Sequence, residues 1–196
     1  VTLLHADDEL RPEYAHRMLE RASADPGAAI AFCGAEIVGP TGAPVFSLPD
    51  AVKRFLWPNR GRLGVLAGRR GVEALCRGNF LMCPTACYRK SVLGARRFDA
   101  RWRFVLDLEY FTRLLLDGER FVLDPVRAYA YRRHAENATE AYTASSVRFR
   151  EEAAFYDDLA RRVERRGWGT AAWRARARLL VRLNAVVQVL RDVSGF

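Results

Sequence analysis

The chain has 196 residues, half of them hydrophobic and 28% charged, a composition typical of a folded globular protein and unlike that of a disordered chain. No apolar run approaches the roughly 18 residues that a membrane-spanning helix needs. The net charge of +9 comes almost wholly from arginine, since Lys53 and Lys90 are the only lysines. Arginine suits phosphate oxygens, so nucleic acid, anionic lipid and diphosphate substrates all stay open as partners.

Cysteine usage indicates a reducing compartment. The four cysteines, at positions 33, 76, 83 and 87, contain no CxxC pair, and the chain has three histidines. That set argues against a structural zinc site. We therefore expect reduced thiols, mostly in the core, of a cytoplasmic protein.

A strand and a helix frame the first polar segment. Residues 1–4 are predicted to form a buried strand, and Pro12 opens a helix that ends near residue 25. The apolar face of that helix consists of Tyr14, Met18, Leu19 and Ala22. The polar residues between the two elements are His5, Asp7, Asp8 and Glu9. Acidic side chains are therefore expected on a strand-to-helix loop.

The middle of the chain mixes strand and helix patterns. Residues 29–38 alternate as a second strand, and residues 39–42 have turn chemistry. Residues 48–70 are interrupted by prolines and glycines, so we expect a mobile loop with short helices there. The later patterns are a strand-like stretch at 78–88, a short helix near 91–94, a helix ending at Asp117, and short strands at 121–123 and 128–131.

After about residue 145 only helical patterns remain, with a break at Gly167 and Gly169. One last helix is predicted to carry an apolar stripe of Trp173, Leu180, Leu183, Val187 and Leu190. Arginines 174, 178 and 182 oppose that stripe. Three interpretations of this tail stay open: a helical lid, a homodimer surface, or an amphipathic element lying on an anionic membrane.

The adjacent carboxylates of Asp7 and Asp8 are the most informative pair in the sequence. At the end of a buried strand they repel one another unless a cation or solvent compensates them. Mg²⁺ typically takes one or two carboxylates together with substrate phosphate oxygens. The same residues could instead simply cap the helix that begins near Pro12. The pair alone does not decide between the two interpretations.

Residues 3–12, LLHADDELRP, resemble the DXD-containing strand of inverting family 2 glycosyltransferases, which reads as apolar residues, D-x-D-D, two residues and proline. Asp7 and Asp8 match that pattern, whereas His5 stands at its first acidic position. The resemblance implies that Asp7 and Asp8 bind the diphosphate of a nucleotide-diphospho-sugar and a divalent metal, Mg²⁺ or Mn²⁺. Any metal or ribose contact from the first position is put in doubt by His5.

Three further blocks resemble the same family in its usual order, so that the resemblance covers residues 1–139. GNF with CPT and YR, between residues 78 and 89, resembles the segment leading into the acceptor pocket. RFD at 97–99 and FVLDLEY at 104–110 resemble the GGFDE...ED stretch, which implies that Asp107 is the catalytic residue. YRRH at 131–134, with Asn137 and Thr139, resembles the closing YRxH element. That block implies that His134 binds the metal or diphosphate and that Arg132 and Arg133 hold the diphosphate.

The resemblance implies a GT-A-like α/β fold with a mainly parallel sheet. Residues 1–144 would be the catalytic part of that domain and residues 145–196 a helical extension. The nucleotide-recognising part of the family would precede Val1, so the sheet would be incomplete at the amino terminus. The implied reaction inverts the anomeric centre and transfers the sugar to a glycan, lipid-linked or other hydroxyl acceptor. The protein would be cytoplasmic or peripheral at the inner face of the membrane.

Asp107 has a chemical reason to be the general base, because the acceptor hydroxyl must lose its proton as the anomeric carbon is attacked. Its alternative role is an N-cap for the helix that runs to Asp117. His134 could equally be an ordinary surface residue. Glu109 lies two residues beyond Asp107, which turns it about 200° away on a helix and indicates a structural role.

Two other functions fit parts of the sequence. A nucleotidyltransferase shares the sheet and the metal-binding carboxylate, but the Asp107 and YRRH blocks argue against it. A noncatalytic basic module that binds nucleic acid would explain the charge of +9. The chain lacks an aromatic-interleaved basic motif, so no nucleic-acid partner is expected.

Overall fold

Helices and strands alternate along the first two thirds of the chain, and helices alone follow. The structure is a computed structural model that describes residues 1–57, 64–133, 142–143 and 145–194, with side chains as far as residue 189. The strands are β1 (Glu9–Leu10), β2 (Ala28–Val38), β3 (Gly64–Ala67), β4 (Ala86–Tyr88) and β5 (Arg120–Arg132). The α-helices are α1 (Tyr14–Ala24), α2 (Leu48–Leu56), α3 (Gly68–Arg77), α4 (Lys90–Leu93), α5 (Leu106–Leu116), α6 (Val147–Glu164), α7 (Gly169–Ala177) and α8 (Leu179–Ser194).

The sheet is mixed. Its order is β1-β5-β2-β4, and β3 also pairs with β5. Among the described strands the long central pair β2 and β5 is parallel, whereas β1, β3 and β4 pair antiparallel to their neighbours. The α/β class is therefore confirmed, and the expected mainly parallel sheet is not observed. Three short flanking strands account for the difference, and β3 has only four residues, too few to show a periodic pattern.

Strand β5 runs unbroken through the Asp124-Pro125 pair, where two short strands were predicted. The register against β2 shifts on both sides of Gly34, which is how a central strand accommodates a proline. A Cβ placed at Gly34 would lie 3.0 Å from the carbonyl oxygen of Pro125. The close approach of the two backbones at this bulge therefore requires glycine.

The first four residues do not form a buried strand. Thr2 makes an isolated antiparallel bridge with Cys87, and Tyr88 N–H donates to the Val1 carbonyl at 2.7 Å. Val1, Leu3 and Leu4 are exposed, because this segment lies beside β4 at one end of the sheet and no described element covers their side chains. The prediction of burial is wrong here.

Two hydrophobic clusters cover the two faces of the sheet. The larger joins β2 and β5 to α3, α5, α6 and α7, and the rings of Phe32 and Phe111 meet edge to face at 5.1 Å inside it. The smaller lies under α1, which buries Tyr14 and Met18 but leaves Leu19 exposed, so the predicted apolar face is too wide. Helices α6 and α7 share the larger core with the sheet. The division of the chain after residue 144 stays a prediction.

The carboxy-terminal helical tail is broken at Arg178, whose φ of 47° ends α7 before α8 begins. The single predicted stripe is therefore wrong: Trp173, Leu183 and Val187 are exposed, and Leu180 packs against Gly78. In the described part of the chain no helix combines the length and the apolarity needed to cross a bilayer. The cysteines are free thiols, and Cys33 and Cys76 lie in the core as expected.

Candidate functional site

Asp8 is a buried carboxylate held by strand β5. Its Oδ2 accepts a hydrogen bond from the Tyr129 hydroxyl at 2.8 Å, and its Oδ1 accepts one from the Arg132 backbone N–H at 2.7 Å. Both donors lie near the end of β5, so the strand fixes the carboxylate in place. Burial and the bond to Asp8 raise the pKa of Tyr129, which keeps its hydroxyl a donor.

His5, Asp7 and Asp8 form a cluster that fits a divalent cation. One ligand atom from each lies within 4.8 Å of the others, and His5 Nδ1 is 3.6 Å from Asp8 Oδ2. His5 and Asp7 are exposed, which leaves the outer side of the cluster open to oxygens of a substrate. One imidazole and two carboxylates suit Mn²⁺ at least as well as Mg²⁺, because Mg²⁺ prefers oxygen ligands alone. His5 thus lies among the candidate ligands although it departs from the family pattern.

The alternative role of Asp7 and Asp8 as helix caps is wrong. Helix α1 begins at Tyr14, its N-cap position is Glu13, and no side chain caps it. Asp8 instead turns back toward β5. The carboxylate pair is therefore not explained by the needs of the following helix.

Arg132 holds the acidic loop in place. Its Nε donates to the Asp7 carbonyl at 2.8 Å, and its Nη1 donates to the carbonyls of Gly39 and Pro40, each at 3.0 Å. Its Nη2 pairs with Glu9 at 2.5 Å. The guanidinium is thus engaged on all its nitrogens with groups of the protein. A diphosphate role for Arg132 would require some of these bonds to be exchanged.

Arg133 points toward helix α2. It contacts Asp50 Oδ2 through Nε at 2.9 Å and through Nη2 at 2.7 Å. Lys53 Nζ lies 3.7 Å from the other oxygen of Asp50. Asp50 is buried, and the two cations on either side compensate its charge. His134 lies outside the described residues, as do Asn137 and Thr139.

Asp107 lies in the first turn of α5, one residue after the helix begins. Its Oδ1 accepts the Leu108 N–H at 2.7 Å, and its carboxyl group also hydrogen-bonds the Asn79 side chain. Burial raises the pKa of Asp107, while these hydrogen bonds and the charge of Lys53 oppose the rise. The N-cap position belongs to Val105, so the alternative role of Asp107 as the N-cap residue is wrong, although its side chain does accept an N–H of the first turn.

Lys53 contacts Asp50, and its charge also acts on Asp107. Lys53 was not predicted from the sequence as a site residue. Burial lowers the pKa of Lys53, and the negative charges of Asp50 and Asp107 oppose that fall. The sequence does carry a signal for this group. Ser47 is the N-cap residue of α2. The backbone N–H of Asp50, three residues later, donates to Ser47 Oγ at 3.4 Å. Lys53 follows one turn along the same helix.

The consecutive residues Arg132 and Arg133 connect the two groups. The first bonds Asp8, and the second bonds Asp50, which neighbours Lys53 and through it Asp107. A cavity of about 680 Å³ adjoins this chain of contacts and is lined by Asp50 and Lys53, but not by Asp7, Asp8 or Asp107. Glu109 is buried and paired with Arg113 at 2.9 Å, in keeping with the structural role predicted for it.

No model of a known protein family matches the chain, and a search of curated proteins finds no match either. The interpretation of the site therefore depends on its own residues and their geometry.

Proposed function

We propose that the chain is the catalytic part of an inverting, metal-assisted glycosyltransferase that uses a nucleotide-diphospho-sugar donor. The observation that carries the proposal is the series of neighbours that begins at the His5, Asp7 and Asp8 cluster. It runs through the Arg132 backbone to Arg133, Asp50 and Lys53, and the charge of Lys53 acts on Asp107. A cation-binding cluster and a carboxylate with a raised pKa are the two groups that this reaction needs. In this proposal the β2–β5 pair and its flanking strands belong to a GT-A-like sheet.

Asp107 would act as the general base. An acceptor hydroxyl attacks the anomeric carbon from the face opposite the leaving diphosphate, the new glycosidic bond forms as the bond to the diphosphate breaks, and Asp107 takes the hydroxyl proton. A carboxylate whose pKa is raised by burial is a better proton acceptor than an exposed one. The charge of Lys53 opposes the rise in the pKa of Asp107 and so favours the ionised form that accepts a proton.

The donor diphosphate would lie at the open side of the acidic cluster. A divalent cation bound there would neutralise the charge that develops on the leaving diphosphate. Asp8, fixed by Tyr129 and the Arg132 backbone, and the exposed His5 and Asp7 would hold that cation. His134 at the metal or diphosphate, and Arg132 and Arg133 at the diphosphate, stay predictions.

The tail offers a route to a membrane-borne acceptor. Five apolar side chains of α8 are exposed: Leu179, Leu183, Val186, Val187 and Val189. With Arg182 on the same helix they could contact an anionic membrane surface. We place the protein in the cytoplasm, at times on the inner face of the membrane, in keeping with its free cysteines.

The test is turnover of a panel of nucleotide-diphospho-sugars, measured by the release of the nucleoside diphosphate. Asp107→Asn should lower kcat by about 100-fold or more, the contribution of a general base. Asp158→Asn is the matched control, because Asp158 is a half-exposed aspartate on α6 that pairs with Arg161 and Arg162 and lies outside the family-like blocks. Full activity of Asp107→Asn would overturn the proposal. Release of pyrophosphate from a nucleoside triphosphate and a sugar phosphate, in a parallel assay, would instead favour a nucleotidyltransferase. Salt-sensitive RNA binding without turnover would favour the basic module.

The metal assignment has its own test. Titration with Mn²⁺ should show one site that Asp7→Asn weakens about tenfold or more, because one of three ligands is lost. Circular dichroism and thermal unfolding check that the variant is folded. Glu13→Gln, which alters an exposed acid five residues after Asp8 in the sequence, is the control. Equal Mn²⁺ affinity of all three proteins would show that the cluster is not the metal site.

A further inference from the structure

The 680 Å³ cavity beside Lys53 is not used by the chemistry proposed above. It lies between β2, residues 44–47 and α2, and its volume falls within the range of small-molecule sites. Most of its wall is apolar, with four aromatic residues among the lining: Phe46, Phe55, Trp57 and Phe80. Phe46 is 80% exposed, an unusual position for a phenylalanine and one that places an apolar ring at the cavity.

The charged side chains of the lining leave a positive surplus. The two acids are already compensated, Glu36 by Arg11 and Asp50 by Arg133. Arg54 and Arg127 are exposed and also line the cavity. Within the described residues neither guanidinium has an ion pair or a hydrogen bond. Two arginines without acidic partners beside an apolar wall are complementary to an anion that carries an apolar chain.

We propose that this cavity binds an amphipathic phosphate, with its apolar chain against the aromatic wall and its phosphate group at Arg54 and Arg127. Burial of the ligand's apolar chain supplies most of the affinity. Each methylene that is removed from water adds to the binding free energy independently of the phosphate group. The arginines supply the selectivity for the charged form. Neither part depends on the acidic cluster or on a bound cation.

The cavity also adjoins the candidate base. Lys53 lines the cavity and is close enough to Asp107 to oppose the rise in its pKa. Phe80 lines it too, and the preceding residue, Asn79, hydrogen-bonds Asp107. A ligand in the cavity would therefore contact Lys53 and Phe80, which lead to Asp107, although Asp107 is not part of the cavity wall. We assign this ligand as the acceptor. This assignment of the ligand as the acceptor rests on the proposed function, whereas the binding itself does not.

Isothermal titration of the whole chain with simple probes tests the binding. We expect octyl phosphate to bind, decyl phosphate to bind about tenfold more tightly because two more methylenes are buried, and octanol to bind several-fold more weakly. Inorganic phosphate should give no measurable heat. Concentrations are kept below the onset of micelles. Equal affinity for octanol and octyl phosphate would overturn the role of the arginines, and the absence of any chain-length effect would overturn the role of the apolar wall.

Variants locate the site. Arg54→Ala and Arg127→Ala should each weaken octyl phosphate about threefold to tenfold and leave octanol unchanged. Arg165→Ala is the matched control, since that arginine is exposed on α6's far end and lines no part of the cavity. Ala35→Trp and, independently, Val45→Trp should fill the cavity and abolish binding of both probes. Circular dichroism and thermal unfolding check that each variant is folded.

Each remaining outcome also decides the question. Binding that persists in both folded tryptophan variants would place the ligand elsewhere and overturn the proposal. The absence of binding by every probe would overturn the proposal. If the chain then also self-associates and Phe46→Asp abolishes that association, the cavity is assigned to a second copy of the chain. Because no sugar nucleotide is present, the binding result is separate from turnover. Tight binding with no sugar transfer would contradict the proposed function and leave the site intact.

Discussion

The carboxylate of Glu151, on α6, accepts a hydrogen bond from the backbone N–H of Phe104 at 2.7 Å, across 47 residues of sequence. The same carboxylate accepts the N–H groups of Arg103 and Val105, at 3.0 and 3.3 Å. These three donors lie just ahead of α5, whose own N-cap residue has no side-chain acceptor. A residue of the helical tail thus caps the helix that carries Asp107.

Replacing Glu151 should therefore loosen the start of α5. Glu151→Ala leaves three N–H groups without their acceptor and should lower the free energy of unfolding by about 1–2 kcal/mol. Glu151→Gln keeps a neutral acceptor and should cost about half as much. Urea denaturation measures both. Glu164→Ala, which removes an exposed acid from the end of the same helix, should change stability by less than about 0.5 kcal/mol. Equal losses for Glu151→Ala and Glu164→Ala would contradict the capping role.

The raised pKa of Asp107 gives a pH dependence of stability with a defined sign. Between the ordinary value of 3.8 and the higher pKa of the folded state, the folded protein keeps a proton that the unfolded chain has lost. Stability contributed by this group is therefore lost as the pH rises through that window. Asparagine does not ionise, so Asp107→Asn should unfold at a higher temperature than the parent at pH 7.

The control for this prediction is the same comparison of melting temperatures at low pH. Below about pH 4 both proteins are uncharged at position 107, and their melting temperatures should converge. Burial also raises the pKa of Glu152, but that group is present in both proteins and cancels in the comparison. A variant less stable than the parent at pH 7 would show that the charge of Lys53 and the hydrogen bonds to Asp107 outweigh burial. If Asp107→Asn is more stable than the parent and has also lost turnover, unfolding is excluded as the cause of its inactivity.

The elements with strong local signals were predictable from the sequence. Helix α5 and strand β2 appear within a residue or two of the predicted limits, because a long periodic pattern fixes each. The pairing of strands was not predictable in the same way. Strand β3 has four residues, and its pairing with β5 depends on contacts across more than 50 residues of chain. The expected parallel sheet came from the resemblance and not from such a pattern.

The residues of the candidate site likewise divide into those with a local signal in the sequence and those that depend on contacts between distant segments. Asp7 and Asp8 could be singled out from the sequence as an adjacent pair of carboxylates, although the strand expected before them is not observed. Asp107 could be singled out as a carboxylate at the start of a helix. Asp50 and Lys53 could not be assigned to the site, since their part in it comes from the ion pair between Asp50 and Arg133, 83 residues apart. Glu151 gave no signal at all, because a cap supplied from a distant helix leaves no local motif.

A buried ion pair ties α1 to β5 and should dominate the stability of that face of the sheet. Asp124 is fully buried and meets Arg21 Nε at 3.0 Å and Arg17 Nη2 at 3.3 Å. Asp124→Asn removes the charge that compensates both arginines and should cost about 2–3 kcal/mol, because Arg17 still reaches solvent. Glu20→Gln removes an exposed acid that contacts the same two arginines and should cost less than about 1 kcal/mol. Chemical denaturation compares them, and similar losses would contradict the importance of burial.

The hydroxyl of Tyr129 should matter to the metal cluster as well as to the fold. It donates to Asp8 Oδ2, the same oxygen that lies 3.6 Å from His5 Nδ1, so it orients the carboxylate from behind. Tyr129→Phe leaves one oxygen of a buried carboxylate without its donor and should lower the free energy of unfolding by about 1–2 kcal/mol. The affinity for Mn²⁺ should fall about tenfold, as is typical when a residue that orients a metal ligand is lost.

Tyr156→Phe removes an equally buried hydroxyl, which donates to the Leu75 carbonyl at 3.4 Å on the other face of the sheet. That control should lose a comparable or smaller amount of stability and no Mn²⁺ affinity. If both variants bind Mn²⁺ as the parent does, Asp8 is a structural carboxylate, and the cation must be held without it.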